Sequence, residues 1–289
     1  MIKITTDDYR YPESLKKLKN PPKKLYTIGN IKLLETPGIS IIGSRNCSKY
    51  GEKMAKKFAK ELSLYGLTII SGMAEGIDKI AHLECIENAG STIAVLPSGF
   101  KNIYPEINIE LYNKIIENRG LVLTEYEQNE IADSKKFIER NRIVAALSIG
   151  TLVIEGGYRS GTSITAKITK KLNKNVYCIP SSLENPKGLI PNKLIQEGSM
   201  LVTKVEDIIN KYPDLKLEKK KLLEKIREPE IDKKYRQVYD VLDKEKPIHI
   251  NEIFKKLDLE ISEINYKLMM LELEDKIVSL PGNNYKIKW

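Results

Sequence analysis

Short apolar runs alternate with helical stretches from Ile39 to about Leu201. Between the apolar runs, hydrophobic positions recur three and four residues apart, which is the spacing of one helix face. The predicted strands are "ISIIGS", "LTIIS", "STIAVL", "LVLTE", "TLVIEG", "NVYCIP" and "SMLVT". The predicted helices cover residues 49–65, 74–88, 107–118, 134–147 and 163–172.

Most of these strands are continuous apolar runs and do not alternate between apolar and polar residues. Continuous runs are typical of strands that are covered on both faces, as in a parallel sheet with a helix layer on each side. The sequence therefore predicts an α/β domain over residues 39–210.

The remaining segments differ in pattern from this domain. Residues 1–38 predict an irregular or short-helical extension packed on the main domain. Residues 211–233 are dense in charge and contain Pro213 and Pro229, which favours a linker. From Tyr235 the pattern is three helices followed by a hairpin, "IVSLPGNNYKIKW", so residues 234–289 predict a small C-terminal winged-helix domain.

Composition is that of an ordinary globular protein, with 41% hydrophobic and 30% charged residues. The amino-terminal "MIKITTDDYR" lacks the apolar core of a signal peptide. The best apolar run, residues 144–154, is far shorter than the roughly 20 residues that span a bilayer. Three widely spaced cysteines suit a reducing compartment and give no metal-ligand spacing. We expect a cytoplasmic protein with no membrane partner, metal or cofactor.

The net charge of +9 permits a polyanionic partner, and its distribution is informative. Residues 1–210 carry a net charge of +7, whereas residues 234–289 are neutral. The helix that would enter a DNA groove, residues 260–276, has five acidic residues and two lysines. We therefore expect the terminal domain to serve protein contact or dimer support, or to have no direct role in DNA binding.

Two strand-to-helix loops could bind an anion, because backbone N–H groups at a helix start and an arginine fork both donate hydrogen bonds. The alternative is a pair of ordinary capped turns, with Ser71 and Asp78 as caps and His82 as a structural residue. The candidate residues are Gly43, Ser44 and Arg45 in the first loop and Ser71, Gly72, Met73 and Gly76 in the second.

A third candidate lies on a predicted helix, where "FIERNRIVAALS" places Arg140, Asn141 and Arg142 between apolar flanks. A buried charge needs a partner. That partner is either an internal acid, Glu125 or Glu155, or a bound phosphate. A fourth candidate, "LVIEGGYRSGTSITA", offers hydroxyls and a lysine at a helix start. Its residues are Ser160, Gly161, Thr162, Ser163 and Lys167.

These loops match neither standard nucleotide fingerprint. The Walker-like spacing from Gly156 to Ser163 has Thr162 where a lysine would reach the terminal phosphates. The first strand-to-helix turn lacks G-x-G-x-x-G, and the second strand ends without the carboxylate that holds a ribose. Several anion-binding loops along one sheet edge suit the consecutive phosphates of a nucleic-acid strand.

Five segments in this order resemble the DNA-processing protein A family (DprA/Smf). They are "GSR", "SGMAEGIDKIAH", "STIAVLPSGFKNIYP", "FIERNRIVAALS" and "YRSGTSITA". The resemblance covers roughly residues 10–208, and the terminal winged helix fits the family's small second domain. Pro97 departs from the family pattern, which more usually has a glycine there.

The resemblance implies an extended Rossmann-like domain that binds single-stranded DNA without catalysis of its own. It further implies homodimerisation, protection of incoming strands and loading of RecA recombinase during natural transformation. Its motifs place the DNA contacts on the residues of the four candidate loops. On this interpretation Arg140 and Arg142 face strand phosphates, while Asn141 holds the loop geometry. Three tyrosines near strand-end loops are candidates either for stacking on bases or for ordinary packing: Tyr104, Tyr126 and Tyr158.

Two other functions remain as alternatives. The fourth loop is also similar to that of Rossmann-like nucleoside-monophosphate phosphoribohydrolases, which need a glutamate shortly after the threonine. Here no acid follows Thr162 before Lys170. The second alternative is a winged-helix transcription regulator, which the acidic recognition helix disfavours.

Overall fold

The computed structural model describes residues 1–158, 160–218, 231–243 and 246–288. The chain forms two compact units, Met1–Lys220 and Lys221–Trp289. Their boundary falls within the predicted linker 211–233, of which residues 219–230 lie outside the described part. Residues 244, 245 and 289 of the predicted winged-helix domain also lie outside it.

A nine-stranded sheet forms the centre of the first unit, in the order β1-β2-β6-β5-β4-β3-β7-β8-β9. The strands are β1 Ile2–Thr5, β2 Lys24–Gly29, β3 Gly38–Ile42, β4 Thr68–Ser71, β5 Thr92–Val95, β6 Leu121–Thr124, β7 Gly150–Val153, β8 Asn175–Cys178 and β9 Met200–Leu201. Strands β3 to β9 pair in parallel, as the sequence predicts. The prediction for residues 1–38 was wrong in one respect, because β1 and β2 extend the sheet by antiparallel pairing.

Helices cover both faces of this sheet. They are α1 Glu13–Lys16, α2 Lys49–Leu64, α3 Ile77–Glu87, α4 Ile109–Glu117, α5 Ser134–Leu147, α6 Gly161–Lys171, α7 Leu189–Gln196 and α8 Glu206–Ile209. On one face α2, α3 and α8 pack on Ile39 and Ile41 of β3. On the other face α1, α5, α6 and α7 pack around Ile42 and Val153. Alternate residues of a single strand thus enter two different cores, which explains the continuous apolar runs.

The path of the chain brings three loops to one place. From β3 the chain runs through β4 and β5 to β6, and α5 then returns it to β7 on the opposite side of β3. The loops that follow β4, β3 and β7 therefore lie side by side at the carboxyl edge of the sheet. In open α/β sheets this switch point is where ligands bind.

The second unit has the predicted winged-helix arrangement. Its elements are α9 Lys233–Tyr239, β10 Ile248–His249, α10 Ile250–Lys256, α11 Ile261–Leu273, β11 Ile277–Leu280 and β12 Asn284–Ile287. The three strands pair in the order β10-β12-β11. The unit has its own apolar core, in which Tyr235, Val238, Ile264 and Leu268 are almost completely buried. In the described ranges of both units, every helix is too short or too polar to cross a membrane.

Lys174 fixes the turn that leads from α5 to β7. Its Nζ atom donates to the carbonyl oxygens of Ala146 and Ser148, both at 2.6 Å, and to that of Ala145 at 3.3 Å. These carbonyls close the end of α5 and have no helical partner of their own. The ammonium group therefore satisfies the last carbonyl groups of the helix, a role that backbone N–H groups have where a helix ends in a glycine turn.

We expect Lys174→Met to lower the free energy of unfolding by about 1–3 kcal/mol, because it leaves partly buried carbonyl groups without a hydrogen-bond donor. Urea denaturation followed by circular dichroism measures this. Lys171→Met, on the exposed side of α6, is the matched control and should leave stability unchanged. Equal stability of the two variants would contradict this role of Lys174.

Candidate nucleic-acid interface

The loops after β3 and β4 contact each other directly. The backbone N–H of Ile77 donates to the carbonyl oxygen of Ser44 at 3.2 Å. Gly76 precedes α3 with a φ of +72°, and a Cβ atom there would lie 2.3 Å from the same oxygen. Only glycine allows this approach and this backbone conformation. The first two predicted loops are therefore one continuous surface.

Arg140 supports this surface from beneath. Its side chain is buried, and its Nη1 atom donates to the carbonyl oxygens of Gly72 and Val95. A Cβ atom at Gly72 would lie 2.3 Å from the guanidinium carbon. Burial lowers the pKa of Arg140 to about 10, an effect that Asp78 opposes, so the group stays charged at neutral pH. The interpretation that Arg140 faces strand phosphates was wrong, because its guanidinium group points inward.

Asp78 and His82 lie one turn apart on the side of α3 that faces Arg140. Asp78 accepts a hydrogen bond of 3.0 Å from the backbone N–H of Gly72, and burial raises its pKa. His82 is fully buried and shares a 2.6 Å hydrogen bond with Thr92. Burial, aided by the charge of Arg140, lowers the pKa of His82 to about 3, so the imidazole is neutral. The structural interpretation of His82 fits this environment.

Arg142 has an acidic partner within the protein. Its Nη2 atom forms an ion pair with Glu125, which follows β6. Burial raises the pKa of Glu125, although the charge of Arg142 opposes this. The internal-acid alternative thus holds for Arg142, and the prediction that it faces phosphates was wrong. Arg140 and Arg142 therefore have different partners: backbone carbonyl groups for Arg140 and a carboxylate for Arg142.

Among the described residues of the candidate loops, Arg45 is the arginine that reaches solvent at this edge. Its guanidinium carbon lies 4.7 Å from the ring centroid of Phe137, which is a cation–π geometry. Phe137 in turn meets the ring of Tyr104 edge-on, with 5.3 Å between centroids. Phe137 is not among the residues predicted from the sequence for this site. Its position was available as a signal, because the first turn of α5 follows β6 and so lies at the carboxyl edge.

The three tyrosines that were considered for stacking differ in exposure. Tyr104 is 44% exposed and beside Phe137, which fits that interpretation. Tyr126 is buried and its hydroxyl donates to Glu139 at 3.0 Å, so it packs inside. Tyr158 is 78% exposed in the loop that follows β7.

The start of α6 joins the surface through Asn141. Asn141 Oδ1 accepts a 3.2 Å hydrogen bond from Arg140 Nε, while its amide nitrogen faces Gly161. Ser160 caps the helix by accepting from the backbone N–H of Thr162 at 3.2 Å, and Ser163 donates to the Ser160 carbonyl. Lys167 is exposed one turn further along α6. The proposed role of Asn141 in holding the loop geometry is consistent with these contacts.

Three of the candidate side chains are buried. Ser71 is fully buried and donates to the carbonyl oxygen of Ile41 at 2.6 Å. Met73 packs in an apolar cluster with Leu96 and Leu111. Thr162 is also buried. As side-chain contacts these three residues were wrongly chosen, and only their backbone groups remain candidates.

Glu155 occupies the start of α2. Its fully buried carboxylate accepts hydrogen bonds from the backbone N–H of Ser48, at 2.9 Å, and from the Ser48 hydroxyl. Asn185 donates to the same carboxylate at 3.2 Å. Helix electrostatics favour a carboxylate at this helix end, and here the protein's own Glu155 supplies it. Anion binding by the backbone N–H groups at the start of α2, one of the two alternatives for the first loop, is therefore not supported, because Glu155 already occupies this position.

The neutral His82 makes stability depend on pH. In the unfolded chain its pKa is about 6.5, whereas burial lowers it to about 3 in the fold. The contribution of the buried imidazole to the free energy of unfolding is therefore complete above pH 6.5 and is lost as the pH falls towards 3. We expect His82→Gln to make the unfolding free energy less steep in pH, by up to about 1.4 kcal/mol per unit near pH 5.5.

Urea denaturation at several pH values measures this difference. His249→Gln, in the second unit, is the matched control and should retain the slope of the unsubstituted protein. Parallel slopes for the His82→Gln variant and the unsubstituted protein would contradict a neutral buried imidazole.

Family models cover nearly all of the chain. A model described as DNA recombination-mediator protein A matches residues 3–213. A second, described as the DprA winged helix domain, matches residues 225–283. The boundary between the two matches agrees with the division into two units.

Curated relatives match over about 70% of the chain. The DNA processing protein DprA of Streptococcus pneumoniae is 38% identical over 202 residues, which are 70% of this chain and 71% of the relative. DprA of Bacillus subtilis is 34% identical, over 73% of this chain and 71% of the relative. Protein Smf of Escherichia coli is 34% identical, and the match spans 55% of that longer relative.

Solved structures agree with these matches. DprA from Streptococcus pneumoniae superimposes with a TM-score of 0.69 at 37% identity, over 72% of this chain and 73% of that chain. DprA from Helicobacter pylori, studied for its single-stranded DNA binding mode, gives a TM-score of 0.66 at 32% identity, over 73% of this chain and 96% of that chain. From the sequence matches, the chain belongs to the DNA recombination-mediator protein A (DprA/Smf) family.

Proposed function

We propose that this protein binds single-stranded DNA without regard to sequence and acts without catalysis of its own. In this proposal a cytoplasmic homodimer protects incoming strands and loads RecA onto them during natural transformation and homologous recombination. The observation that carries the proposal is the exposed guanidinium group of Arg45, held against the ring of Phe137 at the carboxyl edge of the sheet.

Arg45 supplies what a strand phosphate requires. It is exposed, and its planar fork can donate two hydrogen bonds to one phosphate. The ring of Phe137 restrains the guanidinium group, which reduces the entropy that binding would cost. Beside it, Ser44 and Gly76 form a backbone surface that a nucleic-acid strand can approach closely.

The aromatic side chains supply the second requirement, which is a surface for bases. Phe137 and the partly exposed Tyr104 lie next to the arginine, so a phosphate on Arg45 would place its base near these rings. Stacking contributes about 1–3 kcal/mol per base and tolerates every base. A phosphate contact combined with stacking therefore predicts binding that is independent of sequence.

The Helicobacter pylori relative, whose described property is a single-stranded DNA binding mode, supports the proposal by similarity of fold and sequence. The two alternatives lack such support. The first turn of α6 has no acid for a phosphoribohydrolase, and Glu155 fills the start of α2 where a nucleotide phosphate would bind. The acidic α11 disfavours a regulator that reads duplex DNA.

Fluorescence anisotropy with labelled oligo-dT of about 35 nucleotides, a length that offers several stacking sites, tests the proposal. We expect salt-sensitive binding with weak competition by duplex of equal length. Arg45→Ala should weaken binding to all single strands alike and reduce the slope of log K against log salt by roughly 0.7, the value for one lost phosphate. Phe137→Leu should weaken binding by about 1–3 kcal/mol with little change in slope.

Arg119→Ala is the matched control, because Arg119 is exposed at the amino end of β6, on the opposite edge of the sheet. It should bind as the unsubstituted protein does. If Arg45→Ala and Phe137→Leu also bind normally, the interface lies elsewhere. If single and double strands bind equally, the positive charge acts without selectivity and the proposal fails.

Hand-over to RecA is tested separately, on oligo-dT covered by a single-stranded DNA-binding protein. We expect the chain to shorten the lag before RecA hydrolyses ATP on this DNA, and Arg45→Ala to lengthen it again. Arg119→Ala should behave as the unsubstituted protein. An unchanged lag at saturating protein would overturn RecA loading while leaving DNA binding intact.

A further inference from the structure

Exposed apolar side chains in the second unit are concentrated on α11. Across residues 231–243 and 246–288, every large hydrophobic side chain that is strongly exposed belongs to this helix. They are Ile261 at 60%, Tyr266 at 53%, Met269 at 52% and Leu273 at 72% exposure. Single exposed apolar residues are common on proteins, but a group confined to one helix marks an interaction surface.

Three of these residues form a stripe on the side of α11 that faces away from its own core. Ile264, Leu268 and Leu271 pack inward. The spacing of three and four residues places Tyr266, Met269 and Leu273 together on the opposite side, here called the outer face of α11. This spacing is that of a coiled-coil seam, so the outer face fits another helix.

Acidic residues border the outer face on both sides. Glu272 lies on the side of β11, where it accepts from Ser279, and Glu263 and Glu274 lie on the other side. The lysine within the helix offsets one of these three charges. Lys267 has a side chain that is only 12% exposed and pairs with Glu263 at 2.6 Å. The border of the outer face is therefore negative.

We propose that the outer face of α11 binds a basic amphipathic helix of another protein. A helix with apolar residues at the same spacing would cover Tyr266, Met269 and Leu273. Lysine or arginine on its flanks would meet Glu263, Glu272 and Glu274, an arrangement that sets partner choice in coiled coils.

The same charges disfavour the other occupants. Two copies of α11 packed through this face would bring acidic borders together in either orientation, which costs free energy. Nucleic acid would be repelled by a negative surface. This inference does not depend on the proposed single-strand binding, because it concerns a surface of the second unit.

The probe is a labelled synthetic helix of about three heptads with leucine at the a and d positions and lysine at e and g. A second peptide carries glutamate at e and g. We expect the full-length chain to bind the lysine peptide at least ten-fold more tightly than the glutamate peptide, and more weakly at high salt. Leu273→Ser should lower affinity for the lysine peptide at least ten-fold, and Glu274→Lys should lower it several-fold.

Matched controls come from an exposed loop of the first unit. Leu183 is 94% exposed, and Glu184 beside it is also exposed. Leu183→Ser and Glu184→Lys should bind the lysine peptide as the unsubstituted chain does. Two results would overturn the proposal. One is equal binding of the two peptides, or of Leu273→Ser and Leu183→Ser. The other is sedimentation showing a dimer that Leu273→Ser dissociates and Leu183→Ser does not, which would assign the face to a second copy.

Discussion

The buried guanidinium group of Arg140 is the interaction on which the carboxyl edge depends. It joins carbonyl groups at the carboxyl ends of two neighbouring strands, β4 and β5, and its charge interacts favourably with Asp78. Removing a charge from water is unfavourable unless the charge is hydrogen-bonded and an opposite charge lies near it. Here the guanidinium group donates to two carbonyl oxygens and to Asn141, and Asp78 supplies a favourable electrostatic interaction. The turn at Gly72 is thereby fixed, and the loop that carries Ser44 rests on the helix that this turn begins.

The three arginines therefore have different roles. Arg140 organises the loops from inside, Arg142 is neutralised by Glu125, and Arg45 is left at the surface with its charge uncompensated by an ion pair among the described residues. A rigid, already paired interior lets the surface arginine interact with a flexible ligand without reorganising the fold. Preorganisation of this kind reduces the cost of binding.

The sequence predicted the fold better than it predicted the direction of individual side chains. Continuous apolar runs identified all seven parallel strands, because burial on both faces leaves a strong pattern. The antiparallel β1 and β2 were missed, since their short runs lie among lysines and prolines. The candidate loops were placed correctly at one edge, but sequence could not distinguish the inward Arg140 from the exposed Arg45. That difference arises from the packing of Arg140 on α5 against the turn at Gly72, a long-range contact that a local sequence pattern does not predict.

The close approach of Gly72 to Arg140 has a consequence for how this family of surfaces can evolve. Any side chain at position 72 would collide with the guanidinium group, and any shorter residue at position 140 would leave a void and two buried carbonyl groups without their donor. Neither position can change alone without loss of stability, whereas a paired replacement could restore packing. Positions 72 and 140 are therefore energetically coupled across 68 residues of sequence, and tolerated variation at one is conditional on the other.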